Sequence, residues 1–360
     1  MGKEFPFGIK EVAVLMGLKL GAEKQYAIDA KCPFCDDPKY HLNLNLSSDV
    51  WRCNRCDESG GMVFMYAKAY GLDAKQAYKA ILEGLHIDQR TAPVKKVEKV
   101  KEEPISNRSD GEIHAVYTEM LNLPEFTLSQ QHYENLRNRG FRDEMIEGFG
   151  YKSMPENTKE NVTGIPKKLE EMGYDLMGIP GFYREHGKTK IVLDHAGFLI
   201  PVRNGLGKIV QAQVRRDDGN PKYVYLSSRY MKNGTRTLTR VHTAGSFKKG
   251  PETVYITEGP LKADISSILL GVPFLALQGV NSKGNLEDVL CALKKIGVKT
   301  IVEAFDMDKY TNPNVTKAVR NISDMVKAHG LEIKHAKWDT KFKGIDDMLY
   351  HDMMMKGSFE

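Results

Sequence analysis

Four cysteines stand in two C-x2-C pairs, Cys32-Pro-Phe-Cys35 and Cys53-Asn-Arg-Cys56, with 17 residues between them. Each short turn presents two thiolates to one tetrahedral centre, and the spacer lets two hairpins face each other. Four soft sulfur ligands suit one Zn2+ per chain and leave no open position, so a structural role is expected. His41 lies between the pairs as a fifth candidate and reads rather as a strand residue; Cys291 falls in a helical pattern and reads as core. Tyr40, His41, Trp51, Arg52 and Arg55 place aromatics and cations around the metal. That mixture suits stacking on bases and contact with phosphates of a single strand, with Trp51 and Arg55 as the candidates, although a small core also needs a tryptophan.

A second group is acidic: Glu258 before Gly259, the pair Asp306-Met307-Asp308, and Asp346 before Asp347. Clustered carboxylates repel one another, so such a group is expected to bind hard cations, Mg2+ or Mn2+. Two such ions clamp the entering and leaving oxygens of a phosphoryl transfer. In an extended Asp-x-Asp both side chains point the same way, which predicts Asp306 and Asp308 facing one site. Because the carboxylates repel, Asp306→Asn is expected to keep or raise the stability of the metal-free fold.

The elements around these residues alternate. Val254–Thr257, Pro273–Leu277, Thr300–Phe305 and Glu332–Ala336 read as strands; Leu261–Leu270, Leu286–Ile296, Val315–Ala328 and Ile345–Tyr350 read as helices. Strands separated by helices of this length predict a parallel, doubly wound sheet, whose crevice lies outside the carboxyl ends of the strands. Glu258, Asp306 and Asp308 arrive at that edge. Upstream, 111–180 reads as mainly helical, and 190–226 as strands around the turn Asn204-Gly205. Helices are predicted at Ile9–Met16, Gly61–Tyr70 and Ala74–Leu85 in the cysteine module. Residues 91–110, with Pro93, Pro104, alternating charge and no aromatic, cannot bury a core and read as a linker.

The 360 residues, 28% charged and 41% hydrophobic, describe a folded multidomain chain and exclude a disordered or fibrous one. The net charge of +5 hides a local excess: residues 181–250 hold 14 Lys and Arg against 4 Asp and Glu. Such density suggests a surface for a polyanion, or a plainly solvated basic face. The longest near-apolar stretch, Ile268–Leu277, is half a membrane span, and the first residues have no apolar signal region. No membrane partner is expected, and the location expected is cytoplasmic, where the cysteines stay reduced unless they hold metal.

The whole layout resembles the bacterial DnaG-type primases, and its four-cysteine set resembles the phage-type enzymes. The resemblance rests on the zinc module, the charged linker, and the segment Phe198-Leu-Ile-Pro-Val-Arg203-Asn-Gly-Leu-Gly-Lys208. It also rests on Pro221-Lys222-Tyr223 with Leu226-Ser227-Ser228, on Thr257-Glu258-Gly259, and on Phe305-Asp306-Met307-Asp308. It implies a multidomain α+β and α/β fold: zinc-binding domain 1–90, linker 91–110, primase core 111–250 with a basic mixed α/β part at 181–250, and Toprim sheet 251–360. The function it implies is synthesis of short RNA primers on single-stranded DNA from ribonucleoside triphosphates. Glu258, Asp306, Asp308 and Lys222 would be catalytic, and Asp346, in Lys343-Gly-Ile-Asp346, would join the metal ligands. Arg203, Lys208, Arg215, Arg216 and Lys222 would hold template and nucleotide. Arg215 and Arg216 are neighbours on a strand, so one of them is expected to face the groove.

The chain departs from the family pattern in several ways, among them four cysteines where many bacterial members have three Cys and one His. The usual aspartate four residues after the glutamate is Lys262 here, and Asp264 is expected to point elsewhere on the helix. No P-loop is present, so the partner helicase would be a separate protein, and the short form resembles primases of phages and mobile elements. Two other readings fit the same residues: a non-catalytic single-strand binding or replication-loading protein, favoured by Lys262, and a Toprim nuclease.

Overall fold

The computed structural model describes residues 5–24, 27–35, 37–87, 106–218, 221–248, 250–279 and 282–356. The chain divides into two compact units, Met1–Glu103 and Pro104–Glu360. Of the expected linker, residues 91–105 lie outside the described residues. Among the described residues no helix is long and apolar enough to cross a membrane.

The first unit is an antiparallel meander between helices. Helix α1 (Ile9–Leu15) precedes strands β1 (Leu20–Lys24), β2 (Ala27–Ala30), β3 (Leu42–Asn45), β4 (Val50–Cys53) and β5 (Ser59–Gly61), paired in chain order. Helices α2 (Met62–Tyr70) and α3 (Ala74–Gly84) close it. Asp73 caps α3, accepting from Lys75 N and Gln76 N while the Gln76 side chain returns to Asp73 N. Ile9, Val12, Leu42, Leu44, Trp51, Met65 and Ile81 form the core, all 0–1% exposed. So small a core needs reinforcement, and the cysteine cluster sits at its edge.

The second unit opens with α4 (Asp110–Asn122), α5 (Gln130–Arg137), α6 (Asp143–Phe149), β6 (Lys152–Ser153) and α7 (Lys159–Glu171). A short hairpin, β7 (Phe182–Glu185) and β8 (Lys188–Ile191), leads to β9 (Gly197–Arg203), β10 (Ile209–Arg216) and β11 (Tyr223–Tyr225). These last three and β6 form an antiparallel sheet in the order β11-β10-β9-β6. The Asn204-Gly205 turn joins β9 to β10, and the Asn204 side chain accepts from Leu206 N and Lys208 N.

The remaining elements are β12 (His242–Ala244), β13 (Thr253–Glu258), α8 (Pro260–Leu270), β14 (Phe274–Leu277), α9 (Leu286–Lys295), β15 (Thr300–Glu303), α10 (Pro313–Ala328), β16 (Glu332–His335) and α11 (Ile345–Met355). Their sheet runs β12-β14-β13-β15-β16, parallel from β14 to β16 as the alternation predicts. Strand β12 is an addition: it pairs antiparallel with β14, so the sheet begins upstream of residue 251. The chain leaves β13 for β14 on one side and returns to β15 on the other. The switch point therefore lies between the carboxyl ends of β13 and β15.

Candidate active site and zinc centre

In the first unit Sγ of Cys32 lies 3.8 Å from Cys56, and Sγ of Cys35 lies 3.8 Å from Cys53. All four sulfurs fall within 4.8 Å of one another. A tetrahedron of Zn–S bonds about 2.3 Å long has edges of about 3.8 Å, so the cysteines fit zinc as they stand. Among the described residues theirs is the one such group of His, Cys, Asp or Glu ligand atoms. Burial and the neighbouring Cys53 push the Cys35 thiol up to about 12, and the hydrogen bond with Cys32 and burial push Cys53 up as well. Without a cation the four cannot all be thiolates.

Asp37 organises this centre, and no motif marked it. Its buried carboxylate accepts from Cys32 N at 3.1 Å, Lys39 N at 2.9 Å and His41 N at 2.7 Å, and contacts His41 Nδ1 at 2.5 Å. Burial works to raise its pKa, but these bonds prevail and hold it at about 2. His41 is thus engaged by Asp37 rather than by the sulfurs. Trp51 corrects an expectation. It is 1% exposed, between Phe34 and Phe64, with Nε1 donating to Gly61 O, so its ring offers no face to a base. Arg55 is half-buried, with Nη1 unpartnered.

In the second unit the acidic residues gather at the switch point. Glu258 ends β13, and Gly259, at φ +84°, turns the chain into α8 in a conformation that side chains disfavour. Asp306 follows β15 and is 2% exposed. Asp346 enters from the first turn of α11, 9% exposed, with Oδ1 unpartnered. A Cβ on Gly344 would lie 2.2 Å from that oxygen, which is why a glycine precedes the helix here. The Asp-x-Asp is not extended as expected. Met307–Tyr310 form a 3-10 turn, so Asp306 points inward while Asp308 sits exposed on the rim. Glu303 and Lys309 brace that turn. Lys309 Nζ lies 2.9 Å from both Glu303 oxygens, and His335 Nδ1 lies 2.8 Å from Oε2.

Lys262 stands inside the cluster. Its ammonium is ion-paired with Asp306 Oδ1 and lies 3.7 Å from Glu258 Oε1, while Lys343 lies 3.4 Å from Asp306 Oδ2. The expectation of bare repulsion around Asp306 is therefore corrected: both of its oxygens face ammonium groups. Burial pushes Glu258 up to about 7; Lys262 pulls it back, while Asp306 and Asp308 push further. Burial raises Asp346 too, against Lys262. Burial opposes the charge on Lys262, but Asp306, Glu258 and Asp346 prevail and raise its pKa. Asp264 does point elsewhere: it is buried, accepting from Tyr151 Oη at 2.6 Å and contacting His242 Nε2 at 2.9 Å.

The basic residues fall into two sets. Arg215, buried over the Phe198 ring, and exposed Lys222 lie together, and Arg215, then burial, then Arg139 depress the Lys222 pKa. Arg139, just after α5, also acts on Asp346, so this set borders the carboxylates. Nothing in the sequence around Arg139 marked it. Arg216, the next residue on the strand, donates to Pro221 O. Arg203 and Lys208 form the other set. Arg215 pairs with Phe198 and Arg203 with Ile209, so the sets are about 16 Å apart along β9. Arg203 has a buried, unpartnered Nη1 and lines a pocket of about 210 Å3 with Phe149, Thr243, Gly245, Phe247 and Asp264.

The crystal structure of the Aquifex aeolicus primase, comprising zinc-binding and RNA polymerase domains, matches at TM-score 0.52 and 14% identity, over 99% of this chain and 84% of that one. The RNA polymerase domain of Mycobacterium tuberculosis primase DnaG matches at TM-score 0.50 and 14% identity, over 69% and 84%. The family described as a domain of unknown function, DUF3854, matches residues 247–355. No curated protein sequence matches. The fold is therefore that of the zinc-binding and RNA polymerase domains of DnaG-type primases.

Proposed function

We propose that the chain is a DNA-dependent primase of the cytoplasm, forming short RNA primers on single-stranded DNA by nucleotidyl transfer. One observation carries this reading: the carboxylates of Glu258, Asp306 and Asp346 meet at the switch point of the parallel sheet, with the cations Arg139, Arg215 and Lys222 beside them. A site that pairs a carboxylate cluster with a cationic flank suits a triphosphate and its metal.

Glu258, Asp308 and Asp346, with Asp306, would hold Mg2+ or Mn2+; the buried, unpartnered Asp346 Oδ1 supports the fit. When bound, such an ion lowers the pKa of an attacking hydroxyl and offsets charge on the reacting phosphate. Arg139, Arg215 and Lys222 hold the incoming triphosphate, and Arg203 and Lys208 hold the template backbone. The 3′-oxygen of one nucleotide then bonds to the α-phosphorus of the next, pyrophosphate leaves, and the hydroxyl proton passes to solvent. The four-cysteine module adds a second nucleic-acid surface through Arg55. A separate helicase partner belongs to the same reading.

Lys262 favours a second reading, in which the carboxylates are neutralised and the protein binds single strands without catalysis. One assay separates the two, and a nuclease as well. Purified protein is mixed with single-stranded oligonucleotides, labelled ribonucleotides and Mg2+ or Mn2+. Labelled primers support the primase, shortened template a nuclease, and a mobility shift alone the binding protein.

A further inference from the structure

Arg203 ends β9 half-buried, and among the described residues its guanidinium makes no hydrogen bond and no ion pair, with Nη1 buried. An arginine does not shed its charge, and burying that charge without a partner is costly. The acid beside it is already engaged. Asp264 Oδ2 accepts from Tyr151 Oη at 2.6 Å, and Oδ1 lies 2.9 Å from His242 Nε2. Arg203 N donates to Nδ1 of that histidine at 3.0 Å, which leaves the ring proton on Nε2, facing Asp264. Burial therefore lowers the Arg203 pKa, and Asp264 and then Tyr151 offset it only in part.

Arg203 lines a recess of about 210 Å3. Gly148, Gly205, Gly207 and Gly245 line it too, and a Cβ on any of the first three would meet nothing within 4 Å. Bare backbone thus leaves room beside the guanidinium. The recess is larger than a single water needs and smaller than the roughly 300 Å3 at which pockets for whole organic ligands begin. Lys208, at the end of the same turn, adds to the field: after burial, Lys208 and then Arg203 depress the pKa of His114. A guanidinium fork matches two oxygens of a phosphate.

We propose that the Arg203 recess is a site for one phosphate group. It lies about 16 Å along β9 from the Arg215 end, apart from the carboxylate cluster. Two sources offer that group: a phosphodiester of a single strand, and free phosphate. The site is defined without any reaction, so it stands or falls independently of primer synthesis.

The probe is inorganic phosphate, followed by 31P nuclear magnetic resonance on the zinc-loaded full chain without Mg2+, nucleotide or DNA. Saturable binding is expected for the wild type, and Arg203→Gln should weaken it by about tenfold or more, as for a lost charged hydrogen bond. Gly148, exposed in α6 with open space at its Cβ, takes a side chain without disturbing the fold. Gly148→Glu should weaken binding by about threefold and Gly148→Lys should tighten it by about threefold, as for one partly screened charge. A single-stranded oligonucleotide, added to saturation, then tells the sources apart. Displaced phosphate marks a strand's phosphodiester as the occupant, and retained phosphate marks the free ion. No saturable binding by the wild type overturns the inference, whether or not a variant folds. So does unchanged binding in a folded Arg203→Gln, or a shift of the same sign in Gly148→Glu and Gly148→Lys.

Discussion

The Lys262 ammonium is ion-paired with the carboxylate of Asp306, 44 residues away along the chain, and the contact joins the start of α8 to the loop after β15. It changes what neutralising Asp306 does. Asp306→Asn leaves a mostly buried ammonium short of its partner. The metal-free protein should lose stability by about 1–3 kcal/mol, where simple repulsion predicts a gain. Primer synthesis should fall by about 100-fold or more, since metal stabilisation of the transition state is worth several kcal/mol. Asp324→Asn, exposed on α10, is the control and should change neither. Thermal midpoint and primer yield, measured together, check both halves.

Zinc should be present at one ion per chain by metal analysis. Cys53→Ser should lose it, and the first unit should become protease-sensitive, because the metal supplies much of the folding free energy of so small a core. Full zinc content in that variant would show that the ligands are misassigned.

Asp37→Asn tests the carboxylate that ties Cys32 N, Lys39 N and His41 together. An amide brings two donors to a place filled with donors. Zinc affinity, measured by competition with a chelator, should fall by about 10–100-fold, the usual effect of losing a residue that orients metal ligands. An unchanged affinity would show that the cysteine turns hold themselves.

The two basic sets should separate by assay. Arg139→Ala and Lys222→Ala should raise the KM for nucleotide while single-strand affinity stays within about twofold, because many cations share the backbone. Lys208→Ala should weaken DNA binding and lower the salt-dependence slope by about one unit, as for one lost phosphate contact. Nucleotide KM and a salt series on all three variants decide it. Equal behaviour of the three would make the basic surface one undivided patch.

How much was legible follows from where each residue's role originates. Glu258 and Asp306 could be read because strand endings show in the hydrophobic pattern, and an acid after a parallel strand has only one place to go. Strand β12 could not: His242-Thr-Ala is too short for a period, and its pairing with β14 is tertiary. Trp51 was ambiguous because an aromatic beside arginines looks the same in a core and in a stacking site. Asp37 and Arg139 were invisible for a different reason. Asp37 works by collecting backbone N–H groups, and Arg139 by lying near Lys222 and Asp346, which the fold alone arranges. Lys262 showed in the sequence as a departure from a pattern, but its seat among the carboxylates did not.

The central claim is template-directed nucleotidyl transfer at the Glu258–Asp306–Asp346 site. The most direct measurement offers the purified chain single-stranded DNA and γ-32P-labelled ribonucleoside triphosphates with Mg2+ or Mn2+, beside Asp306→Asn under the same conditions. The γ label survives only at the 5′ end of a chain begun de novo. The expected result is short, template-dependent, γ-labelled RNA from the wild type and about 100-fold less from the variant. Absence of labelled product from a wild-type protein that binds the template, or equal product from Asp306→Asn, would contradict it.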